Sequence, residues 1–203
     1  MIMTDEREPL VNEATSPPDE FRLHTTSSQP QDASSSNRPT AASVWREFAS
    51  VAARHVDSHA ALTEMTRMIA NQLDVDVCSI YVLDDDNGDL VLSATMGLNQ
   101  DSVGTVRMSP GNGLVGLVAQ ELQPVYVADA PGHHRFLHFP DVGEDPFVSF
   151  FGVPILHRGN FRGVLVVQTA EPRNLTHDWA SIATAAQRIA PYVGGPPKSR
   201  PVV

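Results

Sequence analysis

Apolar residues recur at helical spacing in two segments of the chain. Between Ser43 and His55 the apolar positions are three or four residues apart, and the same spacing returns between Leu62 and Leu73. This spacing places apolar side chains on one face of a helix. The pattern therefore predicts two amphipathic helices, the first with Ser43 available as its N-cap.

The pattern then changes to short runs of β-branched and aromatic residues. Runs over Val77–Leu83 and Leu90–Met96 flank an Asp-rich turn, and runs over Ser149–His157 and 161–169 flank a Gly-Asn turn. Each pair of runs predicts an antiparallel hairpin. Pro154 indicates an edge or irregular position in the second hairpin, since proline cannot donate a ladder hydrogen bond.

Between the hairpins, residues 114–122 predict a short helix and residues 124–128 a strand. Residues 130–147 have no sustained period and contain three prolines, two glycines and three histidines. A loop of that length in a compact domain is usually functional, so it is a candidate lid. A last helix follows, with Thr176 as its expected cap. This order of elements predicts an α+β fold in which helices flank an antiparallel sheet.

Composition divides the chain into three parts. Residues 1–42 are rich in Ser, Thr, Pro and acidic residues and are predicted to be a disordered tail, because they cannot bury enough apolar surface. Residues 43–193 are expected to form one domain, since 203 residues are few for two cores. Residues 194–203, rich in Gly and Pro, are predicted to be a flexible tail.

Charge and cysteine content narrow the classes of partner. The chain has 24 acidic and 14 basic residues, a formal net charge of −10, and the basic residues are scattered. Nucleic acid is therefore not an expected partner. Cys78 is the single cysteine, which excludes a disulfide framework and suits a reducing compartment. No run approaches the roughly 20 apolar residues of a membrane span, so we expect a cytoplasmic protein without a membrane partner.

Motifs between residues 110 and 168 match a known family. They are Pro110-Gly111-Asn112-Gly113-Leu114-Val115-Gly116, Pro124 through Asp129-Ala130-Pro131, His133 with Arg135-Phe136, Gly152-Val153-Pro154-Ile155, and Gly163-Val164-Leu165-Val166-Val167-Gln168. This stretch resembles GAF domains, especially the one that precedes the phosphotransferase part of nitrogen-type phosphoenolpyruvate-protein phosphotransferases.

The resemblance implies an antiparallel sheet covered by helices, with a small-molecule pocket formed by residues 112–150. The phosphotransferase histidine motif of that family is absent from this sequence, so phosphotransferase activity is not expected. Family precedent favours a small anionic metabolite such as glutamine or 2-oxoglutarate, with no cofactor. The protein partner is not indicated, and the terminal helices offer a surface for a homodimer.

Gly111, Gly113 and Gly116 match the glycine spacing of the dinucleotide-binding fingerprint. Asp129 ends the following strand, near the position of a ribose-binding acid. The fingerprint requires a βαβ unit, and no further βα units follow here. A tight entry into a helix is therefore the favoured interpretation over nicotinamide binding. Free N–H groups at that helix start remain suited to a ligand carboxylate.

Arg135 is the most informative residue of the candidate lid. Its guanidinium suits a ligand carboxylate, with Phe136 and Phe150 supplying apolar contact. The alternative, slightly favoured, is an ion pair of Arg135 with Asp129 or Asp141 that fixes the loop. The predicted ligand-binding residues are Asn112, Gly113, Asp129, His133, Arg135, Phe136, Phe150 and Gly152.

Three functional hypotheses remain. A non-catalytic sensor that binds a metabolite under the loop is preferred. An interaction-only module is the second, favoured if Phe139, Phe147 and Phe151 point inward and fill the pocket. A nicotinamide- or metal-dependent enzyme is last, because no complete catalytic motif occurs and the loop histidines, His133 and His134 among them, are expected to be hydrogen-bonded or solvated rather than metal-bound.

Overall fold

A computed structural model describes residues 41–55, 57–139 and 147–194. The described residues form four α-helices and six β-strands. The helices are α1 Ala41–Arg54, α2 Ser58–Leu73, α3 Gly113–Glu121 and α4 Trp179–Ile189. The strands are β1 Val77–Leu83, β2 Leu90–Met96, β3 Arg107–Met108, β4 Val125–Val127, β5 Ser149–His157 and β6 Asn160–Thr169.

The six strands form one antiparallel sheet in the order β3-β2-β1-β6-β5-β4. The β1–β2 and β5–β6 pairs are the two predicted hairpins, and β1 pairs with β6 at the centre of the sheet. Pro154 lies beyond the three residues of β5 that pair with β4, from Phe150 to Gly152. Its missing N–H group is therefore tolerated, as expected of an edge position.

Each face of the sheet is covered by a different layer. Helices α1, α2 and α4 pack on one face, where Phe48, Met65, Ile69, Leu165 and Ile182 are buried in the larger core. Helix α3 packs on the opposite face over a smaller core. The central strands are apolar on both faces because both faces are covered.

The smaller core contains the side chains that face α3. Tyr81, Leu90, Leu92, Phe150, Val164 and Val166 of the sheet meet Leu114, Val115 and Val118 of the helix. Because side chains alternate along a strand, the neighbouring residues Ile80 and Leu165 belong to the larger core. The sheet thus separates a layer that contains α1 and α4 from a layer that contains the candidate site.

Three local details differ from the sequence-based expectations. Helix α1 begins at Ala41, so Ser43, the predicted N-cap, lies within the first turn of the helix. Asn174, not Thr176, caps the last helical segment: its side chain accepts from Thr176 N, and a 3₁₀ turn over Leu175–Asp178 precedes α4. The two-residue edge strand β3 was not predicted because its pattern is too short to show a period.

Two predicted segments fall largely outside the described residues. The predicted disordered tail over residues 1–42 lies outside them except for its last two positions, and the predicted flexible tail over 194–203 lies outside them except for Gly194. Residues 140–146 of the candidate lid also lie outside. In the described residues, no helix combines the length and the apolar character needed to cross a bilayer.

Candidate ligand-binding site

The glycine motif before α3 forms a compact turn. Gly111 and Gly113 have positive φ angles of 88° and 66°. The Gly111 N–H group donates to the Gly116 carbonyl oxygen at 2.7 Å, and a Cβ atom at Gly116 would lie 2.8 Å from the Ser109 carbonyl oxygen. The glycines therefore serve a tight entry into a helix, as the favoured interpretation predicted, because only glycine fits these positions without strain.

The described part of the candidate lid consists of residues 130–139 and Phe147, and residues 130–139 are folded by local hydrogen bonds. Asp129 accepts from Gly132 N at 3.2 Å, and the Ala130 carbonyl accepts from His133 N at 3.1 Å. Ala130 N in turn donates to Val148 O at 2.7 Å. Asp129 thus stabilises the start of the loop through the backbone, as acidic residues commonly do in turns.

Arg135 attaches this loop to α3. Its Nη1 atom donates to the Gly111 carbonyl oxygen at 2.8 Å and to Gln120 Oε1 at 3.3 Å. Of the two predicted acidic partners, Asp129 is engaged with Gly132 N and Asp141 lies outside the described residues. The structure thus brings Arg135 to the glycine turn. The loop-fixing role was predicted, but its observed acceptors are a carbonyl and an amide oxygen.

The loop histidines pack on each other. The rings of His133 and His134 stack with centroids 4.5 Å apart, and His133 Nδ1 accepts from Arg135 N at 3.1 Å. No group of three or more His, Cys, Asp or Glu residues suited to a metal ion occurs within the described ranges. His133 therefore contributes to the conformation of the loop around Arg135.

A cleft lies between the loop, α3 and the sheet face below them. Its lining residues are Met108, Gly113, Leu114, Val115, Phe136, Leu137, Phe139, Phe150 and Gln168. Three of the predicted site residues, Gly113, Phe136 and Phe150, are thus brought together around one cleft. None of the lining residues carries a formal charge, so recognition by these residues relies on shape and hydrogen bonding.

The cleft is nearly filled by the protein itself. The volume accessible to a water-sized molecule is about 20 Å³, which is room for roughly one water. Leu137 covers Gly113, with its Cδ1 atom 3.2 Å from where a Cβ atom of that glycine would be. Phe139 also lines the cleft and packs against the smaller core. A metabolite can enter only if Leu137 and Phe139 move.

The other predicted residues lie around the cleft rather than in its lining. Asn112 precedes α3, and its side chain forms no capping hydrogen bond. Gly152 lies under α3, where a Cβ atom would lie 2.8 Å from Val118 Cγ2. Gly152 thus allows α3 to approach the sheet, because any larger residue would push the helix outward.

The phenylalanines named for the interaction-only hypothesis are divided among three places. Phe139 lines the cleft, Phe147 is buried against Val77 and Leu98, and Phe151 belongs to the larger core on the opposite face. Only Phe139 therefore fills the cleft itself. Leu137, which was not among the predicted residues, also lines the cleft.

Gln168 is the polar one among the lining residues that were not predicted as site residues. It directly follows the apolar run Val164-Leu165-Val166-Val167, so the sequence pattern indicates the polar end of a strand and not a site residue. The register pairs Gln168 with Phe150 and places its side chain on the same face as Val164 and Val166. The signal available in the sequence was its even spacing from these two residues, which assigns it to the α3 face.

Cys78 is fully buried on β1, in the larger core. Burial raises the pKa of its thiol well above the ordinary value, because an apolar environment disfavours the thiolate. Since the thiolate is the reactive form, Cys78 lies in an environment that suppresses thiol chemistry.

Comparison with known proteins agrees with this architecture. The family model for the GAF domain matches residues 57–192. The chain belongs to the GAF domain family. A sheet with helices on one face and a loop-covered cleft on the other is therefore the GAF architecture in this protein, and the fold inferred from the sequence motifs is confirmed.

Two solved GAF domains are similar to this chain in both sequence and structure. The GAF domain of a phosphoenolpyruvate-protein phosphotransferase from Coxiella burnetii is 33% identical, with a TM-score of 0.68 over 75% of this chain and 91% of that one. The GAF domain of the phosphotransferase from Acinetobacter is also 33% identical, with a TM-score of 0.65 and the same coverage. This GAF domain is thus related to those of phosphoenolpyruvate-protein phosphotransferases.

A full-length relative extends far beyond the region of similarity. The phosphoenolpyruvate-dependent phosphotransferase system protein of Escherichia coli K12 is 39% identical over 98 residues, which are 48% of this chain. The match covers 13% of that relative's length. The similarity therefore concerns one GAF domain and a small part of the relative.

The GAF fold is also found in enzymes. The free methionine-R-sulfoxide reductase of Neisseria meningitidis, solved in complex with its substrate, has a TM-score of 0.62 over 77% of this chain and 92% of that one. Its sequence identity is 21%, so the likeness concerns the fold alone.

Proposed function

We propose that this GAF domain is a non-catalytic regulatory module that senses a small molecule in the cleft between α3, the sheet and the 130–139 loop. The observation that carries the proposal is the attachment of this loop to α3 through Arg135, directly beside the cleft. A molecule that displaces the loop acts on α3 through the same contact. The relationship to phosphotransferase GAF domains supports a sensory or regulatory role.

The absence of catalysis is part of the proposal. The sequence contains a single cysteine, Cys78, as a candidate for thiol chemistry. That cysteine is buried on the face of the sheet opposite the cleft. The described cleft also holds no pair of titratable groups that could exchange a proton with a substrate.

Glutamine and 2-oxoglutarate are the ligands to test first. Arg135, the predicted partner of a ligand carboxylate, is occupied by Gly111 O and Gln120. The described lining is uncharged, so it favours a ligand whose inserted end is uncharged. Of the two compounds, glutamine has such an end in its side-chain amide.

The interaction-only module is the second candidate, and it rests on one specific observation. Leu137 and Phe139 fill the cleft in the described conformation, as they would in a module that needs no ligand. Under this hypothesis the protein signals through surfaces alone. The layer that contains α1 and α4 would be the surface for a partner or a second copy of the chain.

Thermal unfolding of the full chain separates these two functions. Glutamine, 2-oxoglutarate, cyclic nucleotides, nicotinamide nucleotides and divalent metals would each be added, since selective binding to the native state raises its stability. At a ligand concentration of 100 times Kd the gain is about 2.7 kcal/mol, which is easily measured. We expect one metabolite to raise Tm, and no response to any compound would favour the interaction-only module.

The Arg135→Ala variant tests whether the loop contact matters. We expect it to reduce the response to the stabilising metabolite, because the loop loses its attachment beside the cleft. Arg188→Ala is the matched control, since Arg188 is exposed on α4 in the other layer. An equal response in both variants would show that ligand binding does not depend on this loop.

A further inference from the structure

A second cavity lies between the start of α2, the strands β1 and β2, and the residues that follow α4. Its lining residues in the described part of the chain are Ser58, His59, Leu62, Val82, Ser93, Val103, Gly104, Tyr192 and Gly194. About 370 Å³ is accessible to a water-sized molecule, against about 20 Å³ in the cleft. Ligand pockets have volumes of about 300 Å³ or more, so this cavity has room for a small molecule without any movement of the protein.

Ser93 lines this cavity from a β-bulge in β2. Consecutive residues of β1 pair with Leu92 and Ala94, which leaves Ser93 as the extra residue between the two pairs. The bulge interrupts the alternation of side chains, because Leu92 belongs to the smaller core and Ala94 to the larger core. Bulges redirect side chains and are frequent beside functional sites. The bulge at Ser93 is thus a local feature that adds a hydroxyl group to the cavity.

The cavity combines apolar side chains with hydroxyl groups. The apolar lining residues are Leu62, Val82 and Val103. The Ser93 hydroxyl donates to the Val91 carbonyl oxygen at 3.0 Å, so its oxygen can still accept a hydrogen bond. The Tyr192 hydroxyl forms no hydrogen bond with another described residue, so it can both donate to a ligand and accept from it. The lining therefore suits a molecule with an apolar body and a few polar groups.

The charges around the cavity disfavour an anionic ligand. His59 is the lining residue that can carry a charge, within the described lining. Asp57 caps the N-terminus of α2 directly beside the cavity, and its carboxylate accepts from His59 N at 2.9 Å. An acidic group of the protein thus already occupies this helix N-terminus. Arg162 packs against Gly194, and its Nη1 atom lies 3.8 Å from the Asp85 carboxylate, which opposes its charge.

We propose that this cavity is a second small-molecule site, and that its ligand is an uncharged ring compound with hydroxyl or amide groups. A ring is favoured because His59 and Tyr192 offer aromatic surfaces. The hydroxyl groups of Tyr192 and Ser93 would bond the polar groups of the ligand. The inference does not depend on the proposed function of the cleft, since no described residue lines both the cleft and the cavity.

The ligand class is tested with matched pairs of compounds that differ in charge. The pairs are adenosine with AMP, uridine with UMP, and nicotinamide with nicotinate. With the full-length chain, we expect at least one uncharged compound to raise Tm, because binding to the native state stabilises it. Its anionic counterpart should bind at least tenfold more weakly in titration calorimetry, since the described lining offers no arginine or lysine to offset its desolvation.

The location of the site is tested with Tyr192→Phe, which removes the hydroxyl and keeps the ring that packs on the larger core. We expect Kd for the uncharged compound to rise roughly two- to tenfold, as for the loss of one neutral hydrogen bond. His59→Ala should also weaken binding, because it removes an aromatic surface from the lining. His177→Ala is the matched control, since His177 is exposed and lies outside the described lining.

Leu137→Ala separates this cavity from the cleft. Leu137 lines the cleft and not the cavity, so its replacement should leave Kd for a ligand of the cavity unchanged. If Tyr192→Phe binds as tightly as the wild type and Leu137→Ala binds more tightly, the compound occupies the cleft. The second site is then refuted, while the sensory function stands.

Two further results would overturn the inference. If an anionic compound binds as tightly as its uncharged counterpart, the inferred ligand class is wrong. If no uncharged compound of the three pairs changes Tm or releases heat on titration, the cavity is not a site for this class of molecule. Neither result bears on the cleft, whose function is tested with its own panel of metabolites.

Discussion

Replacing Leu137 with alanine should open the cleft at a small cost in stability. Full burial of a leucine side chain contributes about 1.5–3 kcal/mol. Leu137 is 42% exposed, so a little over half of that contribution is present. We therefore expect Leu137→Ala to lower the free energy of unfolding by about 1 kcal/mol, or Tm by about 2–4 °C.

The same substitution should strengthen ligand binding. In the wild-type chain the ligand must displace the leucine and lose its packing, whereas in Leu137→Ala most of that cost is absent. If the cost of displacing this side chain falls by about 1 kcal/mol, Kd is lower by roughly fivefold. Urea unfolding would give the change in stability, and titration with glutamine the change in affinity.

Leu156→Ala is the control for this experiment. Leu156 is 46% exposed and lies on β5 outside the described cleft lining, so it should lose similar stability without a gain in affinity. The reasoning would be refuted if Leu137→Ala lost as much stability as a buried leucine does, about 2–5 kcal/mol. It would also be refuted if the affinity of Leu137→Ala did not exceed that of Leu156→Ala.

Three further predictions concern stability and reactivity. Arg173→Met should lower the free energy of unfolding by about 2 kcal/mol in urea titrations, because Arg173 donates to the Leu73 and Asp74 carbonyls and to Asp178; an unchanged midpoint would contradict this. A hydrogen bond from His55 lowers the pKa of the Glu64 carboxyl below 4.5, so its contribution is present above that pH and is lost as the pH falls through the lowered pKa. The stability difference between wild type and Glu64→Gln should therefore shrink below about pH 4.5 in acid titrations, and a constant difference would exclude this pair. Cys78 should resist an aromatic disulfide reagent until the chain unfolds, because its thiol is buried; rapid labelling of the native chain would contradict the structure.

The sequence patterns predicted those structural elements that are determined by residues close together in the chain. The hairpins over Val77–Leu83 with Leu90–Met96, and over Ser149–His157 with its partner, follow from runs of β-formers around turn residues. The glycine turn was also assigned correctly, because the fingerprint lacked its βαβ context. These features depend on residues that are close together in the chain, so a single sequence is enough to predict them.

The contacts that define the site could not be predicted in the same way. Arg135 binds Gly111, which is 24 residues away in sequence, and nothing in either residue type specifies the other. Gln168 became a candidate only after the register placed it opposite Phe150. Leu137 covers the cleft from a loop without a period. Even spacing assigns Gln168 to one face of its strand, but its position at the cleft, like the contacts of Arg135 and Leu137, depends on tertiary packing, which propensity and spacing do not encode.

Strand β5 gives the protein an optical reporter of events at the cleft. Phe150 borders the cleft, whereas the next residue, Phe151, faces the opposite layer, with its ring centroid 6.1 Å from that of Trp179. Trp179 is 36% exposed, so its emission is sensitive to small changes in contact with solvent. Trp45, packed edge-to-face on Phe48, supplies a buried and steadier background. A shift of β5 caused by an occupied cleft would therefore change the intrinsic fluorescence on the far side of the sheet without any added label.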